Sequence, residues 1–304
     1  MPFVVIASAH RVGYWSFIGK GDRMRVRLLG ALAANVLLIF GSQPSAAAIM
    51  LTFSDFSDTT GLVLNGDTAV VAGGLRLTPS LPNRGGSVFT ETPIDLGPNA
   101  TFSTAFSFRI SNGQGIQDPG SGPEGADGIA FVLQTVNNSL GAVGAGLGYA
   151  GIQPSLAIEF DTFKNMNNND PDGNHMGISE NGDPESELTA AIVQVLNDGS
   201  VYHAWADYDG ASLEVRFSPT ASRPSTPGMS YAVDLAALLE TEEAFVGFTA
   251  STGSAFNDHD ILSWQFVNEF QPIPEPSSST LVGGGLIAIA AFRSRRARTL
   301  QNAR

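Results

Sequence analysis

Between residues 49 and 270 the chain is a series of short runs rich in β-branched and aromatic residues: GGLRLT, TFSTAFSFRI, GIAFVLQ, LAIEFDTF, AAIVQVL, SLEVRF and AFVGFTA. Clusters of Gly, Asn, Asp and Pro separate them. Many short strands with frequent turn signals predict an all-β sandwich or barrel. In TFSTAFSFRI the apolar Phe102, Ala105 and Phe106 stand among small polar residues with a drift in phase that predicts a bulge or bend. One segment, VDLAALL over 233–239, predicts a helix too short to form a layer, and there is no coiled-coil or solenoid repeat.

The 304 residues suffice for one large β domain or two smaller ones, and the chain ends belong to neither. From Met24 a basic start, an apolar stretch over 28–40 and the small residues Ala46 and Ala48 predict a secretory signal. Residues 1–23 are then either an extended leader or the product of a start assigned too early. Residues 1–48 are thus expected to be leader and signal peptide, 49–270 one domain, and 271–304 a linker with a second processing segment. That last segment joins a Pro-Glu-Pro tripeptide to a short apolar span over 280–292 and an arginine cluster. The span falls short of the roughly 20 residues of a membrane-crossing helix. With no cysteine, a large core and bound calcium would have to stabilise an exported fold.

Without the two ends, six of the 16 basic and 27 of the 29 acidic residues remain, a formal charge of 6 minus 27, or −21. Such a surface repels phosphate backbones and excludes nucleic acid as a natural partner, leaving neutral sugars or cations.

The chemistry concentrates in AIEFDTFKNMNNNDPDGNHMGI, residues 157–178. Glu159 and Asp161, two apart in an extended run, share one strand face, and Phe163 and Asn165 continue it into a loop. Asp170 and His175 return to that face from the far side. Oxygen donors suit calcium, and carboxylates with one imidazole suit manganese or another transition ion. One loop could hold two ions that share Asp161 and Asp170.

Counted from Glu159, the donors fall at plus 2, 4, 6, 11 and 16, with a Pro after Asp170. This spacing resembles the metal loop of the legume-type (L-type) lectins. GADGIAFVL around Asp127, YHAWADYDGASLEVRF from Tyr202, VGFTASTGSAFNDHDILSWQF from Val246 and the opening FSDFSDTTGLVLNGDTAVVAGGLRLT extend the resemblance, in order, over roughly 50–268. It implies a concanavalin-like jelly-roll sandwich with metal and sugar sites in loops at one end of a curved sheet. It also implies that Glu159, Asp161, Asp170 and His175 bind the transition ion, while Asp161, Asp170, Asn165 and the Phe163 carbonyl bind calcium. By the same resemblance Asp127 accepts hydrogen bonds from sugar hydroxyls after a cis Ala126–Asp127 peptide, and Asn165 presents its amide. Phe163 offers an apolar face and Gly144 a backbone N–H. The loop 254–258, with Ala255 and Phe256 as contact candidates, matches the variable loop that sets monosaccharide preference. Dimerisation by sheet edges is compatible with the resemblance. The tail resembles the PEP-CTERM sorting segment, which implies transient membrane engagement, recognition by an exosortase, and delivery to the envelope or matrix of a Gram-negative bacterium. The expected function is calcium- and transition-metal-dependent, non-catalytic binding of glycan or exopolysaccharide.

Other residues have plainer readings. Trp205, Trp264 and His203 are expected to be packed strand residues, and His259 a structural histidine. A retaining glycoside hydrolase of this architecture needs a third carboxylate where the chain has Phe163. An EF-hand starting at Asp170 lacks its turn glycine, replaced by His175, and its final Glu, replaced by Asn181. A structural matrix protein that kept the fold without a sugar site is the remaining alternative.

Overall fold

The computed structural model describes residues 48–274 except Ser121. The expected leader before residue 48 and the sorting segment after 274 lie outside the described residues. With strands numbered in chain order, one sheet runs β14 (Met229–Ala232), β13 (Ser212–Ser218), β12 (Val201–Tyr208), β7 (Phe102–Gln114), β16 (Phe256–Val267), β4 (Gly74–Thr78) and β3 (Ala69–Val71). In that sheet β1 (Met50–Phe53) also pairs with β16. The second sheet runs β11 (Leu188–Ala191), β10 (His175–Glu180), β9 (Ser155–Asp161), β8 (Gly128–Gln134), β15 (Glu243–Ser251), β5 (Gly85–Thr90) and β2 (Leu62–Gly66). There β6 (Ile94–Asp95) adds to β15. All these pairings are antiparallel, so the all-β sandwich expected from the sequence is the fold observed. Among the described residues the one α-helix, α1 (Leu235–Leu239), starts two residues later than the sequence pattern, because Asp234 caps it by accepting from the Ala237 N–H at 3.0 Å.

Alternation explains the core. Phe102, Phe106, Phe108 and Ile110 of β7 face the second sheet, where Phe131, Phe160 and Phe248 meet them. Phe106 packs against Phe248, and Phe108 against Phe160, with ring centroids 4.9 Å apart in each pair. Each fully buried ring contributes roughly 1.5–3 kcal/mol, more than a typical surface ion pair.

One register shift falls inside the run where the sequence suggested a bulge, at Ser107 and Phe108, but on the side of β7 that pairs with β16. From Phe102 to Arg109, β7 pairs with β12 residue for residue, and Ala105 faces outward opposite Trp205. The small side chain leaves room for the indole, which is 1% exposed beside the His203 ring. The pairing of β7 with β16 shifts register first between Phe256 and Asp258, and again between Ile261 and Ser263, opposite Phe108 and Ser107. Near the first shift, Asn112 of β7 takes φ 56°. Trp264 packs between the sheets.

Strands β8 and β9 are buried along their whole length. One face meets the core. The other lies beneath a loop, residues 141–152, whose Leu147, Tyr149 and Ile152 pack on Ala130, Val132 and Ala157. Ile158 and Phe160 therefore point into the sandwich, while Glu159 and Asp161 point outward under this loop.

Candidate functional site

The antiparallel register of β9 and β10 places His175 opposite Asp161, and Gly177 opposite Glu159. Gly177 has to be glycine because a Cβ there would collide with the Glu159 carboxylate and the Ser186 hydroxyl. Glu159 accepts from Tyr149 Oη at 2.8 Å and from Ser186 Oγ. The loop between the strands then folds back. Asp161, Asp170 and His175 each bring a ligand atom within 4.8 Å of the others, and His175 Nε2 lies 3.8 Å from Glu159 Oε1.

The tautomer of His175 follows from its neighbour. Its Nδ1 is 3.1 Å from the Asp172 carbonyl, which can only accept, so Nδ1 carries the proton. Nε2 is left as a buried lone pair without a hydrogen-bond partner, aimed at the carboxylates. Burial holds the imidazole pKa below its ordinary value and keeps the ring neutral.

The carboxylates are pushed the other way. Burial raises Glu159 to about 7 and Asp170 to about 6. Burial, reinforced by Glu159 and Asp170, lifts Asp161 well above the usual carboxylate range. Asp127 is raised to about 7 by burial and then by Asp170. Asp127 Oδ2 and Asn165 Oδ1 are also buried without a partner. Clustered carboxylates, a neutral imidazole lone pair and orphaned oxygens form a donor set that fits divalent cations.

Asp127 reaches the same place from the start of β8. Its peptide with Ala126 is cis, as the sequence resemblance implied. Its N–H donates to the Ser251 carbonyl at 3.0 Å and its carbonyl accepts from the Thr162 N–H at 2.9 Å, which locks it against β15 and the exit of β9. Gly144 opens a 3-10 turn, Gly144–Gly146, with φ 66° and open space where a side chain would project. Its carbonyl accepts from Ser251 Oγ at 2.7 Å. The Cβ position built on Gly253 lies 3.6 Å from Asp127 Oδ2 and 3.9 Å from the Gly144 Cα, so Gly253 sits between the two. Asn168 Nδ2 donates to the Ala145 carbonyl at 2.9 Å, tying the metal loop to the Gly144 turn.

Phe163, Ala126 and Ala255 form a small apolar cluster. The Phe163 residue is only 8% exposed, so it offers a ligand much less than a whole ring face. Ala255 is fully buried in this cluster, whereas Phe256 is half-buried at the start of β16. Asn174 turns away: its Nδ2 donates to the carbonyls of Ile192 and Gln194 and its Oδ1 accepts from the Leu196 N–H. His259 lies outside the cluster, bonded through Nδ1 to Thr78 Oγ1 at 2.6 Å.

A model of the legume lectin domain matches residues 48–282. The chain belongs to the legume lectin family. Agglutinin-2 of Cladrastis kentukea is 32% identical over 264 residues, covering 77% of this chain and 86% of the agglutinin. The probable L-type lectin-domain containing receptor kinase I.2 of Arabidopsis thaliana is 30% identical over 76% of this chain, which spans 37% of that relative's length. Peanut lectin, solved with a nine-residue peptide, has a TM-score of 0.61 and 28% identity, covering 73% of this chain and 97% of its own. Basic winged bean lectin, solved with Tn-antigen, has a TM-score of 0.59 and 29% identity, covering 72% and 98%.

Within this legume lectin site, several residues escaped sequence reading. Tyr149 and Ser186 hold Glu159, and Ser251 holds Gly144, and the sequence reading gave none of the three a role in the site. Asp118, 3% exposed, accepts from the Lys164 N–H at 2.8 Å and from the Gly122 N–H at 3.0 Å. The GxG spacing of Gly120 and Gly122 was its one sequence signal, since a Cβ at either would crowd the Asp118 carboxylate.

Proposed function

We propose that this legume lectin domain binds glycans without turning them over, through a loop ordered by calcium and a second divalent ion. The observation that carries the reading is the convergence of orphaned, buried Asp127 Oδ2, Asn165 Oδ1 and His175 Nε2 around clustered carboxylates. Glu159, Asp161, Asp170 and His175 would hold the transition ion, and Asp161, Asp170, Asn165 and the Phe163 carbonyl would hold calcium. Bound there, the cations supply the positive charge that lets these carboxylates stay ionised under the loop.

The chain's own groups then do the recognition. Asp127 accepts from sugar hydroxyls, Asn165 turns its amide to another, the exposed part of Phe163 meets apolar C–H groups, and Gly144 leaves room for close approach. Order in place before the sugar arrives lowers the entropic cost of binding. A hydrolase is disfavoured because Glu159 is tied to Tyr149 and Ser186, Glu159 and Asp161 are both buried, and Phe163 stands where a third carboxylate would be needed. The chain ends support export to the envelope or extracellular matrix, with a PEP-CTERM tail engaging the membrane transiently, and exopolysaccharide as the class of glycan. One shallow site gives weak affinity, so retention there depends on multivalency.

A glycan array in calcium plus manganese, repeated after chelation, tests the reading. Methyl-α-D-galactose and Tn-antigen, found in winged bean lectin structures, are the first probes. Binding that chelation abolishes, and that Asp127→Ala and Asn165→Ala also abolish, supports it. Wild-type binding by both variants overturns the site. No binding in either state, from folded protein, favours a matrix protein without a sugar site.

A further inference from the structure

Three consecutive backbone amides leave β9 and enter the metal loop, and each donates to a different carboxylate. The Phe163 N–H reaches Asp161 Oδ1 at 2.7 Å, the Lys164 N–H reaches Asp118 Oδ1 at 2.8 Å, and the Asn165 N–H reaches Asp170 Oδ2 at 2.6 Å. Two of these acceptors, Asp161 and Asp170, belong to the cation donor set. Asp118 does not, so it is the one acceptor of the three that answers to the protein alone.

Its surroundings are built for that task. Asp118 is almost wholly buried, and its second oxygen accepts from the Gly122 N–H at 3.0 Å. A Cβ on Gly173, two residues before His175, would collide with the same carboxylate. One side chain thus touches the turn that precedes Asp127, the entry of the metal loop and the exit of that loop. Lys164 closes the loop on its other side, where Nζ donates to the Pro171 carbonyl at 2.9 Å.

We propose that Asp118 is a positioning residue that fixes the Phe163–Lys164–Asn165 backbone for cation and sugar before either binds. The inference rests on the metal-dependent reading above. A loop entry held this way presents the Phe163 carbonyl and the Asn165 side chain in place, so the ions have only the rest of the loop left to order. A carboxylate in this role acts as outer-shell partners of metal ligands do.

The test compares the full-length wild type with Asp118→Ala and Asp118→Asn. It reads calcium affinity by calorimetry and amide hydrogen exchange in the chelated protein. The asparagine keeps one carbonyl oxygen for the Lys164 N–H and gives up the bond to Gly122. Asp118→Ala is expected to weaken calcium binding by about 10- to 100-fold. It should also speed exchange at Lys164 by roughly tenfold while amides of β7 and β16 keep their wild-type rates. Asp118→Asn should recover most of both. Wild-type calcium affinity or wild-type Lys164 exchange in Asp118→Ala overturns the proposal. So does exchange that rises throughout the sandwich in both variants, which marks a general role in folding. Failure of the wild type itself to take up calcium overturns the underlying reading instead, and the exchange rate at Lys164 still decides whether Asp118 fixes the loop.

Discussion

Two regions of this molecule bury several carboxylates each, and they neutralise them in opposite ways. Along β16 and β12, Asp260, Asp258 and Asp207 are met by arginines. Arg76 Nε and Nη2 reach Asp260 at 2.7 and 3.0 Å, Arg109 adds a contact at 3.0 Å, and Arg76 Nη1 reaches Asp258 at 3.2 Å. Arg216 and Arg223 close on Asp207. Around β9 and β10, no arginine among the described residues pairs with Glu159, Asp161, Asp170 or Asp127; Lys164, half-buried at the loop, is the basic side chain that acts on Asp170. The first region carries its counter-charge in the chain. In the second, the proposed cations would supply it.

The sharpest way to break this contrast is chelation. If the loop's counter-charge is a cation present at about a thousand times its dissociation constant, removal forfeits about 4 kcal/mol. For a domain of this size that lowers the melting temperature by about 8–16 °C, read by calorimetry with and without chelator, and sugar binding disappears with it. A melting temperature indifferent to chelator would erase the distinction between the regions.

Next in size is Asp260→Asn, which strips Arg76 and Arg109 of a shared partner and should cost about 3 kcal/mol. Denaturant titration should find that loss unchanged by chelator. Asp161→Asn should behave oppositely, losing stability in calcium and losing little or none in chelator, where it removes a buried charge. Equal chelator dependence for the two variants would contradict the comparison.

Acid should weaken the arginine-rich region through His259. Burial lowers its folded pKa to about 3, against 6.5 for an unperturbed ring. The unfolded chain therefore takes up the proton first, and stability falls as pH drops below 6.5, approaching a slope of roughly 1.4 kcal/mol per unit, until the folded ring also titrates near 3. The loop's raised carboxylates titrate alike in both proteins, so the difference between wild type and His259→Gln isolates this loss: by denaturant titration, the stability of wild type relative to the variant should fall between pH 6.5 and 5. Smallest of all, Arg84→Ala removes an ion pair to Asp67 whose partners are 43% and 31% exposed, and should change stability by about 0.5 kcal/mol or less.

The same comparison explains what the sequence could reveal. The loop's donors lie within 17 residues on two adjoining strands, so the period of a strand and the offsets from Glu159 were enough to assemble them. The arginine region could not be read that way, because Arg76 and Asp260 are 184 residues apart and meet only when β4 pairs with β16. Asp118 was missed for a related reason: it acts on Lys164 across 46 residues through the backbone, and no side-chain motif records a bond to an amide. The sandwich was legible because alternation is local. The exact residues of the register shifts were not legible, because a shift depends on the partner strand, here β16.

The loop over β8 and β9 carries Gly144 at its tip and is pinned by Tyr149 to Glu159 and by Leu147 to the strands below. For anyone re-targeting this scaffold, that divides the rim of the pocket into fixed and adjustable parts. Insertions in 141–152 would unseat Tyr149 and disturb the Glu159 carboxylate it holds. The turn before β16 can absorb changes of length and side chain between Gly253 and Phe256 while its buried Ala255 is kept.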